Sequence, residues 1–193
     1  MPHSSIRYLI VPGWQGSPAE HWQSHWHVTL PNSARVQQAD WLTPQRADWI
    51  AELNRAIAAD LRPTILIAHS LGCATVAHWA AQASRPLIER VRGALLVAPA
   101  DVERADCPAP LRNFAPLPRQ ALPFPSQLIG SDNDPAASAE RALQLAADWG
   151  AEASILPGVG HINVKSGHRH WEQGFAWLYR LQVRIDELAQ RRA

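Results

Sequence analysis

The sequence predicts an α/β architecture in which a mostly parallel central sheet carries helices on both faces. Two observations predict it. Short apolar runs recur along the chain, separated by helical stretches of about a dozen residues or more, and that alternation is what βαβ units leave in a sequence. The clearest of these runs is continuously apolar, as a strand buried on both faces should be. With 193 residues, 47% hydrophobic and 18% charged, the chain can bury the core of one ordered domain, taken as 1–193.

The elements follow in order. Ile6 to Val11 is a short apolar run closed by Pro12-Gly13, a buried strand and a turn. Glu20 to Leu30 is helical, with Trp22, Trp26 and Leu30 four apart on one face. Arg35 to Ala39 is read as a short strand. Arg46 to Leu61 repeats Trp49, Ile50, Leu53, Ile57 and Leu61 at helical spacing. After Pro63, Thr64 to Ala68 is the continuously apolar strand, and the alanine-rich run Leu71 to Ala83 favours a helix. Strands are expected at Val91 to Ala98, Pro125 to Ile129 and Ala153 to Leu156. Helices are expected at Ala136 to Trp149 and His168 to Leu188. Between Asp101 and Pro125 stand six prolines, too dense for a long helix or a central strand. A long irregular loop leaving the C-terminal end of a strand is expected to wall the site.

Composition excludes several classes of function. The formal charge of +1 offers no footprint for nucleic acid or an anionic membrane. No apolar run approaches the ~20 residues that span a bilayer, and the polar start Met1 to Arg7 has no signal-peptide core. The expectation is a cytoplasmic protein. Cys73 and Cys107 have neither metal-type spacing nor a disulfide pattern. Most of the nine tryptophans are expected in the core or a pocket wall.

The strongest chemical signal is Ala68-His69-Ser70-Leu71-Gly72, between a buried strand and a helix. A serine on a sharp strand-to-helix turn presents its hydroxyl at the end of the sheet. The turn is tight, so the positions two before and two after must be small. Alanine stands at the first where glycine is usual. The helix start at Leu71 aims free N–H groups at the same spot, making the Leu71 N–H a donor for an oxyanion. A serine needs a base, and the base an orienting carboxylate. In this architecture their order is Ser, Asp or Glu, His. His161, in Gly158-Val159-Gly160-His161 after the last strand, is the expected base, with His168 and His170 behind it. The acid comes from Ser131-Asp132-Asn133-Asp134-Pro135. Asp134 is preferred because the following proline biases it into the turn, while Asp132 is expected to make Asx-type turn bonds. The second oxyanion donor is expected from Pro12-Gly13-Trp14-Gln15-Gly16, first Trp14 and then Gln15. Gln15, Phe114 and Leu117 are the candidate substrate-binding residues.

Five motifs in order carry a resemblance: Val11-Pro12-Gly13-Trp14-Gln15-Gly16-Ser17, Glu20-His21-Trp22-Gln23, His69-Ser70-Leu71-Gly72, Ser131-Asp132-Asn133-Asp134-Pro135 and Gly160-His161-Ile162-Asn163. The chain resembles the small serine hydrolases of the YdeN-like and retinoblastoma-binding-protein-9-like group, from about Tyr8 to the last helix. The resemblance implies an α/β-hydrolase fold without a large cap domain, with Ser70 as nucleophile, Asp134 as acid and His161 as base. It leaves the substrate open.

The expected activity is cleavage of a small carboxylic ester, thioester or amide, without cofactor or metal. The rival expectation is a binding or scaffold protein on the same fold. His21 and His25 share a helix face but have no third ligand at a telling spacing. His21 and Trp22 are expected to pack under the oxyanion loop, and Cys73 to be a small core residue. Gly158-Val159-Gly160 lacks the third glycine of a dinucleotide loop.

Overall fold

A computed structural model describes residues 6–191. Its six strands form one parallel sheet in the order β2-β1-β3-β4-β5-β6. The strands are β1 (Arg7–Val11), β2 (Ser33–Arg35), β3 (Thr64–His69), β4 (Val91–Val97), β5 (Ser126–Ser131) and β6 (Glu152–Leu156). The helices are α1 (Trp22–Thr29), α2 (Arg46–Ala58), α3 (Leu71–Ala80), α4 (Arg85–Ile88), α5 (Ala139–Trp149) and α6 (Gly174–Gln190), with a 3₁₀ turn at Ala109–Phe114. No large cap domain is built on this frame.

Strand periodicity divides the core in two. Leu9, Val11, Leu66, Ala68, Leu96 and Leu128 face one side, packed with Trp49 and Leu53 of α2, Val76 and Trp79 of α3, and Leu145 and Trp149 of α5. Tyr8, Ile10, Ile65, Ile67, Leu95, Val97 and Ile129 face the other, packed with Trp22 and Trp26 of α1, Trp171, and Leu178 and Leu181 of α6. Successive strand side chains point to opposite faces, so a strand covered on both must be apolar throughout. That is why the run Thr64 to Ala68 carries no polar alternation.

The expected and observed elements differ mainly at their ends. The edge strand β2 lies at Ser33–Arg35, ahead of the expected Arg35 to Ala39, because an edge strand of three half-buried residues has no apolar pattern to mark it. The last helix begins at Gly174, not His168. Gly167 and Trp171 both have positive φ, 86° and 47°, which keeps that stretch out of right-handed helix. Helix α3 stops at Ala80, and the short α4, with proline at its start, was not expected.

The strand order positions the site. The chain goes from β1 outward to β2, then returns to place β3 on the other flank of β1. The order therefore reverses between β1 and β3, and open α/β sheets bind ligands outside the carboxyl ends of strands at such a reversal. The 12–17 turn leaves β1 there, and Ser70 leaves β3 there.

Candidate active site

Ser70 joins β3 to α3 with φ 55° and ψ −121°, a conformation that costs a non-glycine residue on the order of 1–3 kcal/mol. Its neighbours explain how the turn closes. A Cβ on Gly72 would lie 2.3 Å from the Val11 carbonyl oxygen, and one on Gly13 would lie 2.8 Å from Ser70 Cβ. The turns after β1 and β3 are thus pressed together, and glycine is required on both sides of the contact.

His161 reaches this turn from the loop after β6. Its Nε2 lies 2.8 Å from Ser70 Oγ. Its Nδ1 lies 2.9 Å from both Asp134 carboxylate oxygens. The Asp134 side chain is only 2% exposed, and its Oδ1 also accepts from the Ala136 N–H at 2.8 Å. The structure therefore brings Ser70, His161 and Asp134 into one hydrogen-bonded chain. The Asx-type bond expected of Asp132 belongs to Asp134. Asp132 is exposed and accepts from the Gly158 N–H at 2.7 Å, while Asn133 Oδ1 accepts from the Gly160 N–H at 2.7 Å. Asp132, Asn133 and Asp134 thus all bond the loop that carries His161.

The two expected oxyanion donors differ from their rival in one respect. The Gln15 N–H donates to the Trp41 carbonyl at 3.0 Å, so it is occupied. The Trp14 and Leu71 N–H groups have no partner among the described residues. The Trp14 indole is tied to the Leu42 carbonyl at 2.9 Å.

A cleft of about 280 Å³ opens at Ser70. Trp14, Gln15, Pro18, His21, His69 and His161 line it, together with the segment Asn163 to Lys165. Gln15 lines the cleft. Phe114 and Leu117 do not. Phe114 is fully buried in the larger core, edge-on to Trp49, and Leu117 is 3% exposed beside it. The Phe114 carbonyl accepts from His78 at 2.7 Å. The segment 101–125 is thus turned into the core on the α2, α3 and α5 face, and none of its residues lines this cleft. An apolar residue in a proline-rich loop packs wherever it loses most water, and here that is beneath the loop.

Sequence reasoning missed the supports of the site. His69 Nε2–H donates to the His161 carbonyl at 2.9 Å. The Trp22 indole donates to the Ile162 carbonyl at 2.9 Å. Gln23, fully buried, donates to the Val11 and Ile67 carbonyls and accepts from Ser17 Oγ, clamping the ends of β1 and β3. The signal was the Glu20-His21-Trp22-Gln23 motif, whose buried polar residues need partners. His21 and His69 pack edge-on, with centroids 4.9 Å apart. Burial first, then nearby positive charge, lowers the His21 pKa to about 3, and burial depresses that of His69 well below the usual imidazole range. Both rings are neutral. Burial pushes the Cys73 thiol up, so it is an inert core residue. Among the described residues no group of three His, Cys, Asp or Glu is placed to hold a metal ion, and no helix is long and apolar enough to cross a membrane.

A family profile described as serine hydrolase matches residues 8–180. The fold is similar to that of a YdeN-like hydrolase from Pectobacterium atrosepticum, with 30% identity, TM-score 0.81, and coverage of 94% of this chain and 92% of that one. It is similar to the YdeN gene product of B. subtilis, with 18% identity, TM-score 0.74, and coverage of 93% and 100%. It is also similar to Est1E from Butyrivibrio proteoclasticus, seen with bound ferulic acid, with 13% identity, TM-score 0.69, and coverage of 97% and 91%. No match was found among curated proteins.

Proposed function

The chain belongs to the serine hydrolase family, and from that premise we propose that it cleaves a small carboxylic ester, thioester or amide through an acyl-enzyme on Ser70. The observation that carries this reading is the unbroken chain of contacts from Ser70 Oγ through His161 to the buried Asp134 carboxylate. A serine hydroxyl is a weak nucleophile until a base takes its proton. His161 Nε2 accepts that proton as Oγ bonds to the carbonyl carbon and the carbonyl π pair moves onto oxygen. The Leu71 and Trp14 N–H groups donate to that oxyanion. As the intermediate collapses, the bond to the leaving atom breaks, and the His161 Nε2–H protonates that atom. Water then repeats the sequence on the acyl-enzyme: His161 takes its proton, the acid departs, and Ser70 regains its hydrogen. Asp134 keeps the other imidazole proton on Nδ1 and steadies the imidazolium.

The cleft volume of about 280 Å³ suits a small acyl group rather than a long peptide. The test is labelling with a fluorophosphonate probe. Wild-type protein is expected to label, and Ser70→Ala and His161→Ala are not. A folded wild-type protein that does not label, or a Ser70→Ala variant that does, overturns the reading.

A further inference from the structure

We propose, building on the hydrolase reading above, that the cleft selects substrates whose leaving group carries an anion, and that Lys165 is the residue that reads it. Lys165 is the only lysine in a chain with 18 basic residues, the rest being arginine. It lies on the cleft wall beside Asn163 and Val164. Its ammonium group makes no ion pair or hydrogen bond among the described residues, whereas Arg62, Arg85, Arg141 and Arg184 are each paired to a carboxylate.

Nothing facing the cleft cancels that charge. Among the described residues no carboxylate lines the cleft, and Asp134, behind His161, is buried and held by it. His21, which also lines the cleft, offers a donor. His21 Nδ1 accepts from the Gln23 N–H at 3.1 Å, so the proton of this neutral ring sits on Nε2. Arg35 adds positive charge near His21, its guanidinium fixed by the Ser17 carbonyl and Ser24 Oγ. The unpaired Trp14 N–H, the His21 Nε2–H and the Lys165 ammonium group, with no carboxylate lining the cleft among the described residues, favour an anionic guest.

The position of Lys165 along the chain assigns the side. His161 Nε2–H protonates the leaving atom, so the leaving group departs past the base loop. Lys165 stands four residues beyond His161 in that loop and lines the same cleft. Its mount is stiff: Asn163 and Ser166 exchange bonds in both directions, and the His168 N–H closes onto the Asn163 carbonyl at 2.9 Å. A flexible stem on a fixed base suits a point-charge contact with a carboxylate or phosphate.

The test compares kcat/KM for 4-acetoxybenzoate and for its neutral partner 4-acetoxybenzamide. The anionic-to-neutral ratio is expected to fall about fivefold in Lys165→Gln, the scale of an exposed ion pair. It should recover in Lys165→Arg and decline with added salt in wild type. An unchanged ratio, in a wild-type protein that turns over both esters, overturns the inference and leaves the hydrolase standing. A ratio change confined to phenyl hemisuccinate against phenyl butyrate overturns the assignment to the leaving-group side. If no ester turns over and Ser70 does not label, the hydrolase reading fails. The anion site is then decided by titrating ¹⁵N-labelled protein with 4-hydroxybenzoate and 4-hydroxybenzamide. Lys165-dependent shifts at residues 163–166 with the anion alone uphold it, and their absence overturns it.

Discussion

Two long irregular segments follow strands of this sheet, and they are put to opposite uses. The segment 101–125, after β4, sinks Val102, Leu111, Phe114, Leu117 and Phe124 into the core. The ion pairs of Glu103 with Arg119 and Arg141 lie on it. The segment 157–173, after β6, contributes two buried anchors, Ile162 and Trp171. It is held mainly by hydrogen bonds from outside itself: Asp132, Asn133, His69, Trp22 and Trp26 all bond its backbone. The first segment is fixed by hydrocarbon, which is strong and undirected. The second is fixed by directed polar contacts, which place one imidazole to within bonding distance of Ser70. Proline density marks a segment as irregular and says nothing of which use it serves.

The comparison is broken most severely on the hydrocarbon side. Phe114→Ala should destabilise the fold by about 3–5 kcal/mol, as large cavities in cores do, while the folded fraction keeps its esterase kcat/KM. Chemical denaturation and an ester assay, run below the midpoint, check both halves. A loss of turnover per folded molecule would return this segment to the site. Acid should act on the other side alone. The folded His21 and His69 bind protons only well below the unfolded pKa of about 6.5, so stability is complete above that value and is lost as pH falls below it. From pH 7.5 to 5.5 the His21 contribution alone amounts to about 1.4 kcal/mol. The groups facing His21 are Arg35, His69, His161 and Trp22, and none is an anion that would reverse the sign. Thermal melts of wild type and His21→Gln across this range measure it, and the variant's curve should be the flatter. The smallest and sharpest effect is that of Trp22→Phe. It removes one buried bond to Ile162, costs about 1 kcal/mol, and is expected to lower kcat about tenfold by loosening the base loop. Equal kcat in the two proteins would show that the loop is held without it.

The sequence exposed the residues proposed to react and concealed what holds them. Ser70, Asp134 and His161 were legible because each sits in a turn directly after an apolar strand, in an order the architecture dictates. The expected oxyanion donors Leu71 and Trp14 came from the same turns. Gln23, Trp22 and His69 were not, because each acts on a backbone carbonyl of another element, and nothing local announces such a bond. Phe114 and Leu117 were misplaced for a related reason: the residues show that they are apolar, not which water they leave. The strand β2 was shifted because Ser33–Arg35 has no hydrophobic period.

The backbone of Ser70 has a consequence for anyone evolving this protein in the laboratory. At φ 55° glycine is the residue at ease, and glycine there deletes the hydroxyl. On the mechanism proposed above, heat selection on its own would therefore reward an inactive variant, since a strained functional position is where stability and activity part company. A library of this chain sorted for thermal hardiness should carry a turnover filter at every round, or the fittest clones will be those that have forgotten the reaction.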